Sequence, residues 1–205
     1  MGTRLLMSMS MSVTAALGAF AVSAGVATFV LYAFQVLHLG PFGYGVMLTV
    51  MAAGWVVSSF FVHRVVDRLG YAWSMRLSQI GLVACFALVA FLPPWPLAIG
   101  FVLFAMSTTV MVWNVCSQSS RQRFTPTALL GWALTGHRAL AWGLNPLGAL
   151  VGGLVAAGAG LRAVWVVGAA VQAGALAVAW WGLSPGAFAV AERALDDDLA
   201  PHGAG

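Results

Sequence analysis

The sequence predicts an all-α membrane protein of six transmembrane helices, and three observations carry that prediction. Only 7% of the 205 residues are charged, 61% are apolar, and the mean hydropathy is +0.95, whereas a soluble domain carries about 25% charged residues. No Asp, Glu, Lys or Arg occurs from Leu5 to His63. The apolar runs are continuous rather than alternating and rich in Ala, Leu, Val and Gly. That pattern favours helices over closed barrels, the only other backbone solution in lipid.

The first span is expected over residues 13–37. Its leader, "MGTRLLMSMSMSVTAALGAFAVSA", has the form of a signal peptide, but the apolar run continues past any cleavable core. It therefore reads as a span behind a cytoplasmic flank of residues 1–12. "HLGPFG" leads into a second span over 44–62, and "HRVVDRLGY" is the expected loop to a third over 73–92. "PPWP" precedes the fourth, 97–118; "SSRQRFTPT" precedes the fifth, 129–158; "GAGLR" precedes the sixth, 163–183. Each separator is short and rich in residues that break or cap helices. The bundle thus covers residues 13–183, followed by an acidic tail over 184–205, read as a solvated cytoplasmic end.

Orientation follows from the arginines, since the chain has no lysine. Arg4, Arg64, Arg68, Arg76, Arg121, Arg123 and Arg193 fall on one side of a six-span arrangement, Arg162 on the other, and Arg138 within span five. The positive-inside rule places both termini in the cytoplasm of a plasma-membrane protein. The net charge of +4 and pI near 9.8 then reflect topology, and no basic run with interleaved aromatics suggests nucleic acid. Cys85 and Cys116 lack spacing partners and read as packing thiols, with no metal or disulfide framework. An enzyme is not expected: His38 and His63 fall on opposite sides of the membrane, and no Ser/His/Asp, HExxH or phosphate-loop pattern occurs. No cofactor is implied.

Three stretches, at matching helices, resemble the C-terminal half of a major facilitator superfamily transporter, nearest to the branch of macrolide-efflux proteins and the enterobactin exporter. "VVDRLG" (65–70) is similar to the core of the superfamily loop signature Gly-x-x-x-Asp-Arg-x-Gly; "NVCSQSSRQRFTP" (114–126) resembles the end of the tenth helix; "HRALAWGLNPLGALVGGLV" (137–155) resembles the eleventh. His63 stands where the loop signature begins with glycine, and Tyr71, Ala72 and Trp73 replace its trailing basic residues. The resemblance spans about residues 13–183 and implies half of a major-facilitator fold, six helices where the usual transporter has twelve.

In the loop, Gly70 is expected to supply a positive-φ turn. The resemblance implies that Asp67 docks on a helix N-terminus of the opposite half, with Arg68 beside it in a gate; the alternative is a basic loop that only sets topology. On span four Met106, Thr109, Trp113 and Ser117 share a face, with Asn114 adjacent. The family places this helix at the central cavity, where Trp and Met suit a lipophilic substrate, and helix packing is the competing reading. Thr28, Tyr32 and Gln35 form a similar stripe on span one.

Arg138, Trp142 and Asn145 recur at i, i+4, i+7 on span five and so share a face. With Gly158 at the outer boundary, Arg138 lies roughly 30 Å away, near the inner mouth rather than the bilayer centre. It reads either as part of a cavity mouth or as an interfacial anchor. Pro146 should kink this helix, and Gly148, Gly152 and Gly153 should permit close helix approach. "NPLGALVGG" has the sense of the superfamily's exporter signature, Gly-Pro-x-x-Gly-Gly. No Asp or Glu lies in any expected span, leaving His137 as the only intramembrane group titrating near neutrality. The expected function is efflux of lipophilic or siderophore-like small molecules by alternating access, with the lipid bilayer, a small-molecule substrate and a second six-helix half or second copy as partners. A non-transporting membrane scaffold, or an inactive remnant of a split transporter gene, is the alternative.

Overall fold

The computed structural model describes residues 2–124, 127–182 and 186; side chains within 2–8 and many within 121–141 lie outside the described set. Every element in these residues is helical: α1 (Gly2–Gln35), α2 (Pro41–Phe91), α3 (Pro96–Phe124), α4 (Thr127–Ala159) and α5 (Leu161–Gly182). All five contain stretches long and apolar enough to cross a membrane, the architecture of a multi-pass membrane protein.

Local chemistry accounts for most of the breaks. α1 stops before His38, whose φ is 53, and Pro41 opens α2 at a position where its missing N–H costs nothing. Two prolines after Leu92 forbid helix there, and Leu92 adopts an extended ψ of 148. Pro96 starts α3, and Gly160, with φ 89, separates α4 from α5.

Two departures from the sequence expectation share one cause. The flank expected over residues 1–12 is helical from Gly2, and the loop expected over 63–71 is helical on both sides of Gly70. Neither stretch contains a proline, so helices begun in the apolar runs continue outward. Gly70 interrupts α2 with φ 75 and ψ 166, a backbone region essentially restricted to glycine.

Chain direction follows from the order in which each segment meets two clusters of buried side chains. α1 runs from Met11 in one cluster to Phe29 and Tyr32 in the other, and α5 returns from Trp165 to Ala179. α3 passes from Ile99 and Leu103 to Val112 and Cys116. α2 does both: before Gly70 it goes from Met47 to Val62, and after it from Met75 back to Phe86 and Val89. It is therefore two antiparallel arms. α4 lies along α1 in the same sense, with Gly148 against Phe20 and Gly152 against Ala24.

In lipid, such packing depends on close approach rather than on hydrophobic exclusion from water. Gly54 of the first α2 arm sits against the Phe104 carbonyl, and Thr108 Oγ1 donates to the Gly54 carbonyl at 3.2 Å. At the other face Trp165 is 1% exposed, with its ring centroid 5.5 Å from Phe86 and 5.8 Å from Tyr32.

Arg76 is buried in this packing. Its Nη2 donates to the Trp180 carbonyl at 2.7 Å, and its guanidinium lies 4.4 Å from the Trp180 ring and 5.7 Å from that of Trp73. This ties the second α2 arm to the end of α5. Arg76→Ala should lower stability by about 2 kcal/mol, combining a charged hydrogen bond with cation–π attraction. Arg76→Lys should recover only part of it, because an ammonium cannot stack and bond in the same planar fashion. Thermal unfolding in detergent, or in nanodiscs, reads both; a lysine variant as stable as the parent contradicts the assignment.

Candidate functional site

A cavity of about 1160 Å³ opens inside the bundle. α3 contributes Val110, Trp113, Asn114, Ser117 and Gln118, which recur at i, i+3, i+4, i+7 and i+8 and so form one helix face. α4 contributes Thr135, Ala139, Trp142 and Asn145, again one face. These two helices scarcely touch each other directly, so the cavity lies between them. α1 closes one side with Gly18, Val22, Ser23 and Val26, and Trp55 comes from the first arm of α2.

The cavity thus joins five residues singled out in the sequence: Trp113, Asn114, Ser117, Trp142 and Asn145. They come from two helices read independently. Ser23 Oγ donates to the Asn145 carbonyl at 2.6 Å, which pins α1 to α4 at the cavity wall. One residue further, Pro146 has no N–H to offer the Trp142 carbonyl. α4 nevertheless continues through Pro146 as one helix.

Other sequence candidates lie elsewhere. Tyr32 is buried against Trp165 and its hydroxyl donates to the Val89 carbonyl at 3.2 Å. Thr28 Oγ1 bonds carbonyls of its own helix, and Gln35 is exposed at the helix end. None of the three lines the cavity. They lie about a third of a turn or more round α1 from the lining face, at 100° per residue. Met106 is sealed in a core cluster, and Thr109 packs against Gly81.

Asp67, Arg68 and Gly70 are exposed at the turn between the arms of α2. Gly148 and Gly152 make the α1–α4 seam, whereas Gly153 faces open space. Arg138 and His137 fall within α4, and their side chains lie outside the described residues.

Two residues the sequence reading passed over also line the cavity, Gln79 of the second α2 arm and Gln172 of α5. They are 2% and 0% exposed, and Gln79 Oε1 with both amide atoms of Gln172 lacks any hydrogen-bond partner. Leaving such a group unpaired costs about 1–3 kcal/mol. The signal in the sequence was a lone amide in each of two spans, Gln172 in an otherwise apolar one and Gln79 beside Ser74, Arg76 and Ser78, where a polar residue is expensive. Among the described residues the lining contains no Asp, Glu, Lys or Arg.

No family model matches the chain, and no curated protein or solved structure matches it significantly. Among the described residues, fold and site together define a multi-pass, all-helical membrane protein with a tryptophan-lined cavity that carries no charged side chain.

Proposed function

We propose that the chain is a six-pass unit of a major-facilitator-type secondary transporter, exporting lipophilic or siderophore-like small molecules by alternating access. The observation that carries this reading is the cavity between α3 and α4, where Trp113, Asn114, Ser117, Trp142 and Asn145 converge. Aromatic and apolar walls with a few polar groups suit an amphipathic cargo. The reading takes the two arms of α2 on either side of Gly70 as separate passes, which the antiparallel order of their buried residues supports. The unit sits in the cytoplasmic membrane with both termini inside, on the positive-inside rule. It rocks against a second six-pass unit, on the same chain, a separate one or a second copy. Arg138, which shares a helix face with Trp142 and Asn145 by register, guards the inner mouth. Asp67 and Arg68 form part of the cytoplasmic gate.

Alternating access can be tested without knowing the cargo. With Cys85 and Cys116 replaced by Ala, cysteines placed at Asn145 and Ser117 are challenged with a membrane-impermeant maleimide in right-side-out and inverted vesicles. A transporter exposes these positions to each side in turn, so both vesicle types should label. Labelling from neither side, or from one side only, would mean a static scaffold.

A further inference from the structure

The two glutamines are unusual because they are polar and almost fully buried, with unpaired amide atoms, yet line a cavity. Packing does not explain them: leucine fills a similar volume and leaves no orphaned polar atom. Nor does charge, because an amide does not titrate or carry an ion. What an amide offers is a hydrogen-bond donor beside an acceptor, whichever way the group is turned. Gln172 has both atoms unused, and Gln79 adds a free acceptor. Gly18, on the same cavity, has only a hydrogen where a side chain would stand, and Gln172 Oε1 lies 3.5 Å from the position of its missing Cβ. Trp55, Trp113 and Trp142 line the same cavity.

We infer that Gln79 and Gln172 form a recognition floor for an uncharged hydrogen-bonding group, an amide or its equivalent, on a ligand whose aromatic or apolar body stacks against the tryptophans. The inference rests on the cavity being a cargo site and names the cargo's chemistry. A neutral donor–acceptor group satisfies all three orphaned atoms without bringing a bare charge into lipid. A carboxylate supplies no donor, an ammonium no acceptor, and a hydrocarbon neither. Selectivity should therefore be strong, since a site built to hydrogen-bond discriminates sharply against analogues that leave its polar groups unpaired.

The test uses the full chain in nanodiscs and four probes with one aromatic body: 1-naphthamide, 1-naphthoate, 1-naphthylmethylammonium and 1-methylnaphthalene. Binding is read by tryptophan quenching against empty nanodiscs. The amide should bind saturably and at least tenfold more tightly than the other three. Gln172→Leu and Gln79→Leu should each weaken the amide at least tenfold, leave 1-methylnaphthalene unchanged, and raise the melting temperature. A structural glutamine would give the opposite thermal shift. Gly18→Ala keeps both amides but covers Gln172, and should weaken the amide several-fold in a protein that folds normally. Probes that bind without preferring the amide, or an amide affinity untouched by all three substitutions, would overturn the recognition floor and leave the cargo cavity standing. Failure of every probe to saturate would overturn the cargo cavity along with it.

Discussion

Gly148→Leu should be the most damaging single substitution in the described part of the bundle, costing about 3 kcal/mol or more, at the upper end for overpacking. Any Cβ at Gly148 collides with the Phe20 carbonyl and backbone, and one at Gly152 would stand 2.8 Å from Ala24 Cα. The obstacle in both cases is the backbone of α1, which cannot rotate aside as a side chain can. The helices must separate, and the Ser23–Asn145 hydrogen bond between them is lost with their contact. Even Gly148→Ala should destabilise, although alanine gains about 1 kcal/mol in helix propensity over glycine. The same helix contains its own controls. A Cβ at Gly143 or Gly153 would meet nothing within 4 Å, so alanine there should be neutral or stabilising. Melting temperatures of the four alanine variants test the seam directly. If alanine at 148 and 152 behaves as it does at 143 and 153, the close α1–α4 contact does not exist.

How much of this was legible in the sequence depended on the kind of information each feature needs. Breaks at Gly40–Pro41, Pro93–Pro94 and Gly160 are local chemistry, and a sequence states local chemistry openly. The extent of α2 was not legible, because residues 63–69 contain nothing that stops a helix. On α3 and α4, spacing identified Trp113, Asn114, Ser117, Trp142 and Asn145 as sharing helix faces, and those faces meet the cavity. The same reasoning applied to Thr28, Tyr32 and Gln35 found a real stripe that faces elsewhere. Periodicity says which residues share a face, but only tertiary packing says where the face points. Arg76 was counted among the topology-setting arginines, while the structure buries it against Trp180. Gln79 and Gln172 escaped because each is the only amide in its expected span. They become a pair only when the second α2 arm and α5 are brought to the same cavity.

Trp142→Ala should separate function from stability more sharply than any other change. Trp142 is 73% exposed despite its size, so it contributes little to the packed core. Its removal should shift stability by no more than about 0.5 kcal/mol, the range for surface positions. As a cavity wall on the face shared with Asn145, however, it is the one aromatic ring among the described α4 residues that line the cavity. Losing one such stacking partner is worth about 0.5–1.5 kcal/mol beyond the buried area, and more when the area itself is included. Affinity for an aromatic probe such as 1-naphthamide should therefore fall at least tenfold, and transport of any aromatic cargo with it. Trp142→Phe, which retains a smaller ring, should recover part of the affinity. The decisive comparison is between the two readouts. A bilayer-facing tryptophan would leave binding unchanged when truncated, and a core tryptophan such as Trp165 would lose the fold. Only a cavity tryptophan loses the ligand and keeps the melting temperature. That combination, measured on one variant, distinguishes a transport pathway from a helix surface that merely awaits lipid.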